Sequence, residues 1–451
     1  MSSSKVWSQY LTRLQHQDLP EPVYSKTRLH LIDTLAAIIS GFELPAGQAG
    51  LRLSRRLAGP PEATVFSPTV FKVGGLSAAC ANAMAAHADE TDDSHLRGRF
   101  HPGCSIVPTA LACAEIFEAN IADLMASIAA GYDIGARAVL ALGIPEHEKP
   151  RFSTHTIGGQ WGAAATAIAL AGLSEDQAQW ALSYTAQQVS GVPYWRKDRD
   201  HIEKSFDFGA MAARNALFAV TVVQEGWTGC SDVLEGAESY LSAFAHQAKA
   251  QALTDGLGQR FEIEAATIKK WCVGSPIQSV LDSTHALMGQ HGVRAEQIER
   301  IVITMPDDRI HIVDNRDMPD VCVQHLVAVA LLDGAVGFRA AHDKARMHDP
   351  AVLALRQKIA LQPSAELTQA RPARQAIVEI LLGDGQALKH HTVCVLGTPE
   401  NPMSEDQVHE KALDLLVPVI GVQSAQRLVR AFQPADRHRR VRDVLNELFV
   451  V

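Results

Sequence analysis

The spacing of apolar and polar positions changes once along the chain, near residue 265. Before that point apolar residues recur at helical intervals. Residues 6–14 read as a short amphipathic helix, and residues 21–40 as a stronger one. In the second, Pro22 sits at the start, Val23, Thr27, Leu31, Leu35 and Ile38 share a face, and Gly41 follows the end. Further helices are predicted over 76–87, 106–117, 121–142, 160–171 and 206–224. Ser174-Glu175-Asp176-Gln177 is a capping-box pattern that opens another, running to about residue 190. Residues 63–66 read as a short strand inside a stretch broken by Gly and Pro. On this reading residues 1–265 are almost entirely helical.

After residue 265 the period shortens. Residues 298–305, IERIVITM, alternate as a half-buried strand. Residues 376–382 and 387–396 are β-rich and flank Gly383-Asp384-Gly385, a hairpin-like turn. Residues 321–335 and 349–361 read as helices, making an α+β segment. A second capping box, Ser404-Glu405-Asp406-Gln407, precedes helices over 408–416 and 425–448.

Against this background four polar islands stand out: 87–101, 151–156, 194–204 and 269–278. The first carries Asp89, Glu90, Asp92, Asp93, His87, His95, His101, Arg97 and Arg99 between two small, apolar segments. Buried charges are costly unless paired or used. Close carboxylate, imidazole and guanidinium groups also perturb one another's protonation, as acid–base sites require. The second island holds Ser153 and His155. The third holds Arg196, Lys197, Arg199, His201 and Lys204, and the fourth Lys269, Lys270, Ser275 and Gln278. Taken alone, the third island reads as a solvated charged face before it reads as a site.

Composition narrows the classes. The 451 residues are 47% hydrophobic and 20% charged, with a net charge of -9. No Lys/Arg-rich block appears, so a nucleic-acid partner is not expected. The seven scattered cysteines form no CxxC pair and fit a reducing compartment. Residues 1–17 hold no apolar signal core, and no uninterrupted apolar run reaches the roughly 18 residues of a membrane span. A cytoplasmic location and no membrane association are therefore expected. There is no HExxH, GxGxxG, GxxxxGK[ST] or GxSxG pattern. A metal, a dinucleotide or a serine-hydrolase mechanism is not expected on that ground.

The ordered motifs resemble the MmgE/PrpD family, which includes 2-methylcitrate dehydratase, cis-aconitate decarboxylase and iminodisuccinate epimerase. HADETDDSH followed by HPG looks like the family signature. GQWGAAATAIALAGLSEDQ, EKSFDFGAMAARNAL, GWTGCSDVLEG, IKKW, VALLDG and NPMSEDQ follow in family order. The resemblance implies a fold that is mainly α with a smaller α+β domain. The large domain would take residues 1–265 and 401–451, and the smaller one 266–400. It also implies a homodimer, no cofactor, and carbanion or enolate-like chemistry next to a carboxylate.

By the same resemblance His101 matches the active-site histidine, Lys204 and Lys269 the two site lysines, and Asp92-Asp93 the Asp pair. Glu90 matches an acidic position and Ser94 a Ser/Thr position. Three family histidines are replaced, by Ser153, Asp207 and Gln278. His155 lies two residues from the first of these, and Arg196 is a further candidate anion contact. The reading is a divergent, cofactor-independent lyase of hydro-lyase type acting on a small hydroxy di- or tricarboxylate. Epimerisation or decarboxylation of a related carboxylate is the alternative. A fold that binds a carboxylate without turning it over is the third reading.

Overall fold

The computed structural model describes residues 1–15, 17–145 and 148–449. The chain separates into two compact units. One takes Met1–Ala88, Asp92–Thr267 and Val408–Val451, and the other takes Asp89–Thr91 and Ile268–Gln407. The fold is mainly helical with a small sheet, as the sequence pattern predicts.

The first unit is built on the helices Glu21–Gly41, Gly75–Ala86, Gly103–Ile116, Ile121–Ala141, Thr154–Leu170 and Met211–Gln224. Its core is rich in alanine and glycine, so helix backbones approach closely. A Cβ added at Gly41 would lie 1.9 Å from the Ala85 carbonyl oxygen, and one at Gly162 would lie 2.7 Å from that of Gly131. Larger side chains at these crossings would push the helices apart. The segments Ile121–Ala141, Ile202–Gln224 and Glu405–Val429 are long and apolar enough to cross a membrane by length and composition. In the first two, 94% and 72% of the apolar window is buried inside the protein, so packing accounts for their apolarity.

Several boundaries differ from the sequence reading. The helix predicted from residue 160 starts at Thr154, because the Ser153 side chain caps it by accepting from the Thr156 N–H. The short strand Ala63–Val65 pairs with Phe71–Val73, which the pattern did not reveal. Ser94–His95 pairs with Ala266–Thr267, so the first polar island contributes a two-residue strand. The helix predicted over 425–448 is interrupted. The preceding helix ends at Val429, Pro434–Asp436 is a 3-10 turn, and Val441–Leu448 is a separate helix.

The second unit holds a four-stranded sheet in the order Ile359–Ser364, Ile298–Pro306, Ala376–Leu382, Ala387–Thr392. The first pair is parallel and the others antiparallel. The helix predicted over 349–361 stops at Arg356, and its tail becomes the edge strand Ile359–Ser364. Ile301, Ile303, Val378, Ile380 and Leu388 point into a core shared with the helices Gln278–His291 and Val323–Asp333. That alternation is the period-two pattern read in IERIVITM.

Candidate active site

Most of the first polar island is buried, with Arg97 left exposed. His87, Asp92 and Asp93 are fully buried, and His101 is nearly so. Asp92 lies between two imidazoles, with Oδ2 2.8 Å from His87 Nδ1 and Oδ1 3.0 Å from His101 Nδ1. A carboxylate only accepts hydrogen bonds, so Nδ1 of each ring carries the proton. In the neutral form of His101 this leaves Nε2 as the basic nitrogen.

Asp93 has a different task. Its Oδ1 accepts the Gly103 N–H at 2.8 Å, and its Oδ2 accepts from Tyr132 Oη at 2.6 Å and His30 Nδ1 at 2.7 Å. Burial works to raise its carboxyl, but the hydrogen bonds from His30 and Tyr132 outweigh it and hold the group below the usual carboxylate range. Burial likewise holds His30 below its ordinary value, so the pair is a neutral imidazole donating to a carboxylate. Gly103 opens the helix that follows His101-Pro102, and Asp93 therefore fixes the chain where His101 leaves it. No side chain larger than hydrogen fits at 103, where a Cβ would meet Thr34 Oγ1 at 2.6 Å and Asp93 Oδ1 at 2.8 Å. Ser94, also buried, lies in the short strand paired with Thr267.

Phe208 organises the remaining groups. It sits in the π-helical turn Phe206–Ala210, an insertion that re-aims side chains and recurs at functional sites. The His155 ring stacks on it at 3.8 Å between centroids, and the His87 ring at 4.4 Å. His101 lies 5.4 Å from the Phe208 ring, 5.4 Å from His155 and 5.1 Å from His87. The Lys204 Nζ lies 5.2 Å from the centre of the same ring, within cation–π range. His201 approaches His87 at 5.2 Å. It adopts φ 60°, a left-handed conformation uncommon outside glycine, just before the turn Ile202–Ser205 that carries Lys204. The helical unit thus gathers His101, Asp92, His155 and Lys204 around one aromatic ring.

Ser153 donates to Asp207 Oδ2 at 2.6 Å. Burial raises the Asp207 carboxyl above its ordinary value, against the hydrogen bond from Ser153. Arg196 is exposed in the 3-10 turn Pro193–Lys197, with its guanidinium 5.5 Å from the Trp195 ring. His87, Asp92 and Cys104 bring one donor atom each within 4.8 Å of one another. Within the protein, His87 Nδ1 binds Asp92 and Cys104 Sγ donates to the His101 carbonyl at 3.2 Å. The grouping carries no argument for a metal.

Glu90, Lys269 and Gln278 belong to the second unit. The Lys269 Nζ donates to the Glu90 carbonyl at 2.7 Å and lies 3.7 Å from Glu90 Oε2. Gln278 clamps the preceding loop, accepting from Trp271 N–H at 3.1 Å and donating to the Trp271 and Val273 carbonyls at 2.8 and 3.0 Å. His342 donates Nδ1–H to the Phe338 carbonyl at 2.6 Å, and its Nε2 lies 2.9 Å from Asp89 Oδ2. Burial works to lower this imidazole, but Asp89 outweighs it and pushes the ring up to about 9.

Sequence reasoning did not single out Phe208, His30, Tyr132, His87 as a site group, or the Asp89–His342 pair. Phe208 and Tyr132 carried no signal beyond apolar periodicity. His30 lies on a long helix outside the four polar islands, where a single imidazole reads as core.

Comparison with known proteins gives two family matches and one relative. The MmgE/PrpD N-terminal domain matches residues 6–253, and the MmgE/PrpD C-terminal domain matches residues 271–434. A cis-aconitate decarboxylase-like protein of Aspergillus oryzae is 23% identical over 321 residues. The match covers 67% of this chain and 63% of that relative.

Proposed function

This chain belongs to the MmgE/PrpD family, and from that premise we propose that it is a cofactor-independent lyase of hydro-lyase type. Its substrate is a small hydroxy di- or tricarboxylate. The observation that carries the reading is the Asp92 carboxylate bound to His87 and His101, with the Lys204 ammonium on the same aromatic platform. His101 Nε2 removes the proton next to a substrate carboxylate. Asp92 holds the ring in the tautomer this requires and stabilises the imidazolium that forms. The Lys204 ammonium stabilises the enolate-like charge that develops on that carboxylate. Lys269 lies with Glu90 in the second unit, and no step is assigned to it. Expulsion of the neighbouring hydroxyl as water completes the reaction. We further propose that the protein is a cytoplasmic homodimer.

The test is a proton NMR turnover screen in deuterated buffer against malate, citrate, 2-methylcitrate and their unsaturated counterparts. Loss or gain of water by the intact protein, abolished in His101→Ala, supports the reading. The name of the fungal relative favours a second reading on the same groups, loss of carbon dioxide from an unsaturated tricarboxylate. Release of carbon dioxide from cis-aconitate without hydration would move the assignment there.

A further inference from the structure

Elimination of water needs two groups, one to take the proton from carbon and one to give a proton to the leaving oxygen. Asp92 fixes His101 as the first of these, and Lys204 carries positive charge. With the Lys204 ammonium assigned to the enolate-like charge, the donor to the leaving oxygen is left to assign.

We propose that Asp207 is the proton donor to the leaving hydroxyl, with Ser153 as the residue that positions its carboxyl; this rests on the lyase reading above. Asp207 is only 7% exposed and lies next to Phe208 in the π-helical turn, three residues after Lys204. Its Oδ2 takes the Ser153 hydroxyl at 2.6 Å, and Ser153 in turn caps the helix that carries His155. Ser153 and Asp207 occupy two of the positions where the family resemblance expects histidines, and here they hydrogen-bond to each other.

The groups around Asp207 are consistent with an acid. Ser153, the cap of the helix Thr154–Leu170, donates to the carboxyl, and the Glu203 carboxylate in the adjoining turn works in the same direction as burial. Burial outweighs the lowering contacts and favours the protonated form. In the step, His101 takes the proton from carbon and the C–H electron pair forms the new C=C bond. The C–O bond breaks toward oxygen, which takes the Asp207 proton and leaves as water. Asp207 is then reprotonated from solvent, and His101 returns its proton there.

The experiment uses the full-length protein with malate, citrate and 2-methylcitrate, and with analogues in which fluorine replaces the hydroxyl. Fluoride leaves without taking a proton. Asp207→Asn keeps the size and an acceptor for Ser153 but no acidic proton. It should lower water elimination about 100-fold or more. Exchange of the α-proton with deuterium, and release of fluoride, should stay within about threefold of the parent. Ser153→Ala, which leaves the carboxyl in place, should lower elimination about tenfold and likewise spare fluoride release. Elimination by Asp207→Asn within threefold of the parent overturns the assignment. So does an equal loss of hydroxyl and fluoride elimination in both variants, which marks a structural role. Failure of the parent protein to exchange or eliminate any of these compounds removes the lyase reading itself, and the assignment with it.

Discussion

Replacing Asp92 by Asn is the sharpest perturbation of the proposed acid–base pair. The side chain keeps its shape and its burial, and only one oxygen becomes an amide NH2. In the parent, two imidazole Nδ1–H groups donate to the two carboxylate oxygens at 2.8 and 3.0 Å. Asn offers one acceptor and one donor, so one of the two rings must turn its Nδ1 lone pair toward the amide or lose its bond. Hydrogen bonds to a charged group contribute about 1.5–3 kcal/mol each. Loss of one should lower stability by about that amount. The rate should fall further, because the imidazolium that forms on His101 loses its counter-charge and the ring loses its fixed tautomer. A loss of about 3–5 kcal/mol in the transition state corresponds to a fall in kcat/KM of roughly 10²–10⁴. The assay is the initial rate of substrate loss by proton NMR, with the tautomers of 15N-labelled histidines read in the same sample. A folded Asp92→Asn protein with kcat/KM within threefold of the parent, and with Nδ1 of both rings still protonated, would refute the argument.

Further outcomes follow from other contacts. Asp93→Ala strands the buried donors of His30, Tyr132 and Gly103, and should lower the denaturant midpoint by an amount worth about 3–5 kcal/mol. Tyr132→Phe removes one donor and should cost less than half as much; equal losses would contradict the shared-anchor argument. His342 is pushed up to about 9 from an ordinary 6.5, so the stability it contributes is fully present below pH 6.5 and is lost as pH rises through 9. A rise of that size is worth about 3 kcal/mol. Asp89→Asn should flatten this alkaline loss in a urea-midpoint series, and an unchanged slope would reject the pair as its source. Gly103→Ala forces a Cβ against Asp93 and Thr34, and should reduce both thermal stability and turnover.

Much of the fold can be read from periodicity. The helices of the first unit and the strand Ile298–Pro306 follow directly from apolar spacing, because one-sided burial imposes the period. What failed was local. The Thr154 helix start was hidden because Arg151–Gly159 looks like loop chemistry, whereas Ser153 spends its hydroxyl as a cap. Ile359–Ser364 continued a helical pattern for a few residues, and only pairing with Ile298–Pro306 makes it a strand. Among the site groups, His101 and Asp92 stood out as a dense polar cluster between apolar segments. The division of labour between Asp92 and Asp93 did not. The two carboxylates are adjacent in sequence, and only the fold sends one to His87 and His101 and the other to His30 and Tyr132. Gln278 looked like a replaced imidazole, and its amide turns out to close the 271–273 loop. Phe208 was one apolar residue among many until the π-turn placed two imidazole rings on it.

The central claim is that His101, held by Asp92, moves a proton next to a substrate carboxylate. Its most direct test is deuterium incorporation at the α-carbon of malate, citrate and 2-methylcitrate in deuterated buffer, for the parent protein and a folded His101→Ala variant. Exchange or elimination by the parent, and neither above background in His101→Ala, is the predicted result. Exchange or elimination at the parent rate in His101→Ala would contradict the account.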